Sequence, residues 1–151
     1  MGRTKPISND YIVGLTDGEG CFYVNKSNLK TYTTGVRIQL HFHLKLCECD
    51  KEILEKIRDT LECGGVYFQK DQRQNHSQCY RYTVSAQSDI LNIIIPFFKQ
   101  HPLQSYSKNY SFRVFCKIAQ LVKSKAHFSK AGISKIRILK SKMNQKTLGL
   151  A

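Results

Sequence analysis

Two carboxylates stand two residues apart among glycines in Asp17-Gly18-Glu19-Gly20. Oxygen donors at that spacing suit a hard divalent cation, because Mg2+ and Ca2+ are held by carboxylate, carbonyl and water oxygens. A calcium loop of the EF-hand type fails at both ends. With Asp17 and Glu19 as its third and fifth positions, Leu15 falls at the first and Lys26 at the twelfth, where acids are required. The acids instead follow an apolar run, Tyr11-Ile12-Val13-Gly14-Leu15-Thr16, which Ser8-Asn9-Asp10 would cap as a short buried helix. Two negative charges in the last turn of a helix oppose its dipole, so the turn calls for a cation, and a divalent ion on Glu19 would supply it. The competing possibility is that Asp17 and Glu19 are turn-forming polar residues and nothing more.

The second constellation is a strict alternation from Val36 to Leu46. Val36, Ile38, Leu40, Phe42, Leu44 and Leu46 share one face, and Arg37, Gln39, His41, His43 and Lys45 share the other. That period predicts a long antiparallel strand with one face buried. Cys21–Lys26 reads as a strand before it, across a polar connection over 27–34, and adds Tyr23 and Asn25 to the open face. A second hairpin, 66–70 and 80–85, adds Tyr67, Gln69, Arg81 and Thr83, with Lys70 and Arg73 at its loop end. The resulting surface is basic, amide-rich and free of acids. Arg and Lys suit guanine O6 and N7, Gln and Asn suit adenine N6 and N7, and a two-stranded ribbon fits a major groove. An ordinary solvated face is the alternative, although Lys, Glu and Thr would be its usual filling. His41 and His43 on alternate positions could ligate a metal, but no third ligand has matching spacing, which leaves them polar contact roles.

Helices must carry these strands. Ile53, Leu54, Ile57 and Leu61 recur at helical spacing after Asp50, with Glu52, Glu55, Lys56, Asp59 and Glu62 outside and Gly64-Gly65 as the stop. Ser88 or Asp89 would cap an apolar helix through Phe98 that Pro96 bends or ends. A helix over 108–125 turns Phe112, Phe115, Ile118, Ala119 and Val122 inward, and a basic helix over 131–143 does the same with Ile133, Ile136, Leu139 and Met143. The order of elements predicts an α+β fold, two β-hairpins with helices on one face of an antiparallel sheet.

Composition narrows the partner. The chain has 151 residues with 41% apolar content, enough for one globular domain and too much for a disordered or collagen-like chain. Its longest apolar run, Ile93 to Phe98, is far short of a membrane span, and Met1-Gly2-Arg3-Thr4-Lys5-Pro6 lacks the apolar stretch of a signal peptide. The expectation is a soluble, unsecreted protein with no membrane partner. The net charge is +13, and no acid follows Asp89, while residues 90–151 carry 12 Lys and Arg. Such asymmetry favours a polyanion, nucleic acid first. The six cysteines, 21, 47, 49, 63, 79 and 116, have no zinc-ribbon spacing, and Cys21, Cys47, Cys49 and Cys79 fall within strand-like stretches or at their ends, where reduced cysteines pass as small apolar residues. A reduced intracellular compartment follows.

The residues Ile12-Val13-Gly14-Leu15-Thr16-Asp17-Gly18-Glu19-Gly20 resemble the nine-residue signature of the LAGLIDADG homing endonucleases. Paired strands after the signature helix, Pro102-Leu103 leading to Lys108 and Phe112, and then His127, Gly132, Ile136 and Met143-Asn144 recur in that family's order. The resemblance implies an αββαββα core with DNA on the open sheet face, plus C-terminal helices. It implies that the signature helices over 8–19 of two units pack together, with Val13, Gly14 and Asp17 at the interface. One signature in the chain implies a homodimer on a pseudo-palindromic double-stranded DNA target. Glu19 matches the catalytic, metal-binding acid, with the Gly18 carbonyl as a second ligand, and Lys108 matches a basic residue that stabilises the reacting phosphate or only positions it. Mg2+ or Mn2+ would support cleavage and Ca2+ would bind without supporting it; no small-molecule cofactor is implied. The segment over 126–151, with Lys140 and Lys142, would grip the DNA backbone. Where relatives carry a water-ordering glutamine late in the long strand, this chain has Lys45-Leu46-Cys47. The family habit implies an intron-encoded protein and either an organelle, chloroplast or mitochondrion, or a microbial host. The alternatives are a non-cleaving DNA- or RNA-binding relative, such as an intron-splicing maturase.

Overall fold

The computed structural model describes residues 6–32 and 34–144. Helix α1 (Asn9–Glu19) starts where the Ser8 side chain accepts the Tyr11 N–H at 3.2 Å. It ends on Gly20, whose N–H donates to the Thr16 carbonyl as the chain swings into extended conformation. A Cβ on Gly20 would lie 2.5 Å from Thr16 Cγ2 and 2.7 Å from the Thr16 oxygen, so only glycine lets helix and strand meet this closely.

Strand β1 (Gly20–Asn28) runs antiparallel to β2 (Val36–Cys47). It outlasts the expected Cys21–Lys26 because Ser27 and Asn28 still pair with Arg37 and Val36. The connection closes with Leu29 N–H to the Gly35 carbonyl at 2.9 Å and with Gly35 at a φ of 70°. After a single 3-10 turn, α2 (Lys51–Leu61) ends at Glu62 in the left-handed region, two residues before the expected glycine stop. Gly64 then turns the chain into β3 (Gly65–Gln69), which leaves Lys70 outside the strand; β4 (Cys79–Val84) completes the hairpin.

The next helical stretch passes through α3 (Gln87–Asp89), a π turn over Ile90–Ile94, and α4 (Ile95–Gln100). Pro96 does not end it. The Ile95 N–H bonds the Ile90 carbonyl across the wide turn, and Pro96 falls in the first turn of α4, where its missing N–H is not needed. Helix α5 (Tyr106–Lys123) begins two residues ahead of Lys108 because Ser105 is its cap, accepting the Lys108 N–H at 3.3 Å. A 3-10 turn (Ala126–Phe128) leads to α6 (Lys130–Asn144). Residues 145–151 of the expected backbone-gripping segment lie outside the described residues.

The sheet order is β1-β2-β4-β3, antiparallel throughout, with helices on the apolar face. Phe22 of β1 centres the core, its ring centroid 5.2 to 5.5 Å from those of Phe42, Phe98, Phe112 and Phe115. Of the apolar positions expected on β2, α2 and α5, all are buried with it except Val36, Leu46 and Ile53, which are half-buried; Ile133, Ile136 and Met143 of α6 are buried and Leu139 is half-buried. The acidic α2 packs against this face, opposite the basic surface. Among the described residues, no helix is long and apolar enough to cross a membrane. All six cysteines are free thiols.

Candidate nucleic-acid interface and its carboxylate

Register assembles the open face row by row. Tyr23 pairs with His41, Asn25 with Gln39, and Ser27 with Arg37; His43 joins Cys21 to Thr83, and Lys45 joins Arg81, which pairs in turn with Tyr67. Every strand residue expected on this face is there, and none of its register positions is an acid. Asn25 Nδ2 donates to Gln39 Oε1 at 3.3 Å, which ties two side-chain amides of the open face together. The rings of His41 and His43 stack at 5.5 Å. Burial and the Arg37 charge lower the pKa of His41; burial, Arg81 and His41 push His43 down to about 4. The half-buried His43 ring is therefore neutral at pH 7, and His41 is shifted in the same direction. His41 Nδ1 and Arg81 Nε are buried without a hydrogen-bond partner among the described residues.

Basic residues off the strands behave differently. Arg73 is exposed but forms a two-bond ion pair with Asp71, at 3.0 and 2.7 Å, that offsets its charge within the β3–β4 loop. Lys140 of α6 reaches the rim of the face, its ammonium 5.5 Å from the Tyr23 ring centroid. Lys142 is exposed on the same helix.

Glu19 sits at the end of this surface, one residue ahead of the Gly20–Leu44 pair that starts the β1–β2 ladder. Its side chain is exposed, and among the described residues no hydrogen bond or ion pair engages it. Gly18 is exposed beside it, with a carbonyl in the helix's last turn, where carbonyls lack helical partners. The Lys108 ammonium donates to the Gly20 carbonyl, which brings the expected lysine beside the expected acid from 89 residues away in sequence.

Asp17 departs from the sequence expectation that the turn needs a cation. Its carboxylate accepts the Gln104 N–H at 2.9 Å, the Ser105 N–H at 3.1 Å and the Ser105 hydroxyl at 3.0 Å. The positive end of α5 offsets this acid, so of the two it is Glu19 whose carboxylate has no hydrogen bond or ion pair among the described residues. Gln104 and Ser105 were not legible as site residues, although a serine three residues after Pro102 is a helix-cap signal. Cys21, taken as a small apolar residue, is exposed on the open face instead.

Of the expected interface residues, Val13 is buried in the chain's own core. The accessible side of α1 is Asp10, Tyr11, Gly14 and Gly18. A Cβ added at either glycine would meet nothing within 4 Å.

The sequence profile described as "LAGLIDADG endonuclease" matches residues 12–119. A "Probable intron-encoded DNA endonuclease 1" of Mycosarcoma maydis is 33% identical over 109 residues, 72% of this chain and 37% of the relative. The chain thus spans little more than a third of that relative's length. Among solved structures, the homing endonuclease I-TnaI superposes with a TM-score of 0.82 at 32% identity, over 92% of this chain and 89% of that one. I-SmaMI, described as bound to uncleaved DNA target in the presence of calcium ions, gives 0.82 at 29% identity, over 91% of this chain and 45% of its own.

Proposed function

This chain belongs to the LAGLIDADG endonuclease family, and on that premise we propose that it is a site-specific double-strand DNA endonuclease that works as a homodimer. The observation that carries the proposal is the Glu19 carboxylate, exposed and unengaged, beside Lys108 at the end of an acid-free basic sheet face. These residues match 89% of I-TnaI and 45% of I-SmaMI, the span of one signature-bearing unit, and a second copy of that unit would complete a two-fold site.

The residues present fit a divalent ion in half-sites. Oxygen donors at Glu19 and the Gly18 carbonyl suit Mg2+, yet among the described residues no group of three or more His, Cys, Asp or Glu could hold a metal within one chain. A second copy brought against the open Gly14 and Gly18 side of α1 would add its own Glu19. Bound there, a divalent ion would polarise the scissile phosphate and make water a stronger nucleophile. The chain's own parts divide the remaining work. Glu19 fixes the reacting end of the sheet, and Lys108 places a positive charge where the phosphate gains negative charge. Arg37, Gln39, Arg81 and their row neighbours read base edges, while Lys140 and Lys142 attract backbone phosphate.

The test is incubation of wild type and Glu19→Gln with a library of random duplexes and magnesium. Magnesium-dependent double-strand cuts that vanish in the variant are expected, with sedimentation showing two chains per duplex. Tight binding without cuts in either protein, as a maturase would show, overturns the nuclease assignment, and one chain per duplex overturns the homodimer.

A further inference from the structure

We infer that Asp17 is a positioning residue for the cleavage reaction: through Ser105 it sets the register of Lys108 against the residues that follow Glu19. The inference rests on the nuclease function proposed above and assigns to Asp17 a part that neither metal binding nor dimer contact requires.

The contacts form a closed loop. Asp17 lies in the last turn of α1, and its Oδ1 accepts both the Ser105 N–H and the Ser105 hydroxyl, at 3.1 and 3.0 Å, while Oδ2 accepts the Gln104 N–H at 2.9 Å. The same Ser105 oxygen accepts the Lys108 N–H at 3.3 Å, as the cap of α5. One turn into that helix, the Lys108 ammonium returns to the Gly20 carbonyl, three residues after Asp17. Each link is short-range, yet the loop joins segments 88 residues apart in sequence. Asp17 is the only acid in it, and hydrogen bonds to a charged acceptor are about twice as strong as neutral ones. Without that carboxylate, the first turn of α5 keeps its internal cap but loses its attachment to α1, and Lys108 loses the fixed origin from which its side chain spans to Gly20.

A residue that acts through Lys108 has a diagnostic: its substitution slows the reaction only while Lys108 is present. The experiment is a double-mutant cycle on single-turnover cleavage of a duplex selected by the wild type, with magnesium and saturating protein, using Asp17→Asn, Lys108→Met and the double variant. Asp17→Asn is expected to slow cleavage between about 10- and 100-fold, the scale of misplacing a catalytic group by about an ångström. Its duplex affinity is expected to stay within about twofold, since no phosphate or base contact is lost. In the Lys108→Met background, Asp17→Asn should change the rate by less than about twofold. Ser105→Ala, which deletes only the shared hydroxyl, should repeat the pattern with a smaller loss and serves if Asp17→Asn does not fold. Equal slowing with and without Lys108, or a fall in duplex affinity that accounts for the slower cleavage, overturns the inference while the nuclease function stands. A wild type that cuts no duplex overturns both.

Discussion

His43 Nδ1 lies 3.2 Å from Thr83 Oγ1, and the two residues are register partners across β2 and β4. This pair holds an imidazole in the sheet face with Arg81 and His41 as neighbours, and burial followed by those charges pushes its pKa down to about 4. The unfolded chain takes up the proton near the ordinary 6.5 and the folded chain only near 4, so stability is fully present above about pH 6.5 and is lost as pH falls toward 4. The melting temperature is expected to drop across that window, and His43→Asn to flatten part of the drop. Lowered pKa values at His41 and His127 act in the same direction. An unchanged slope in His43→Asn would remove this ring from the account.

In the proposed homodimer, Gly14 is where folding and assembly can be tested apart. A side chain there meets nothing within 4 Å in the single chain, and leucine favours a helix over glycine by about 1 kcal/mol. Gly14→Leu is expected to keep or raise the melting temperature while sedimentation shifts from dimer to monomer and cleavage disappears. A stable, dimeric, active Gly14→Leu would place the subunit interface elsewhere.

Gly132 is the opposite case. A Cβ there would fall 1.7 Å from the Ala126 carbonyl oxygen, a backbone atom that can yield only if the 3-10 turn and α6 move apart. Gly132→Ala is expected to destabilise the chain by about 1–3 kcal/mol, as overpacking does. Urea denaturation with an unchanged m-value would report it.

Charge and sequence reading should come apart in binding assays. Replacing Lys140 or Lys142 with Gln is expected to lower the slope of log affinity against log salt by about 0.9 each, with base preference unchanged. Gln39→Ala should leave the salt slope alone and relax discrimination at one base pair, worth about 1–3 kcal/mol. Equal salt slopes for wild type and both lysine variants would exclude α6 from the phosphate contacts.

The amino-acid sequence by itself determined the strands, the open face and the exposed acid. Strict alternation leaves β2 no second way to bury its leucines, and the pairing rules then carry His41, His43, Gln39 and Arg37 to one side. The helical periods of α2 and α5 named their buried residues for the same reason. Ends of elements were less legible. Glu62 stops α2 ahead of the glycines, and the helix around Pro96 continues because a π turn spares the hydrogen bond that proline lacks. Tertiary packing alone separates the surroundings of the two signature acids. The family resemblance gave metal binding to Glu19 and the subunit interface to Asp17, but as residues the two read alike along the chain, both acids against a helix dipole. Packing α5 against α1 turns one acid toward the backbone N–H groups of Gln104 and Ser105 and leaves the other at the end of the sheet. A carboxylate's role depends on which charges surround it in space, and those charges arrive from 88 residues away.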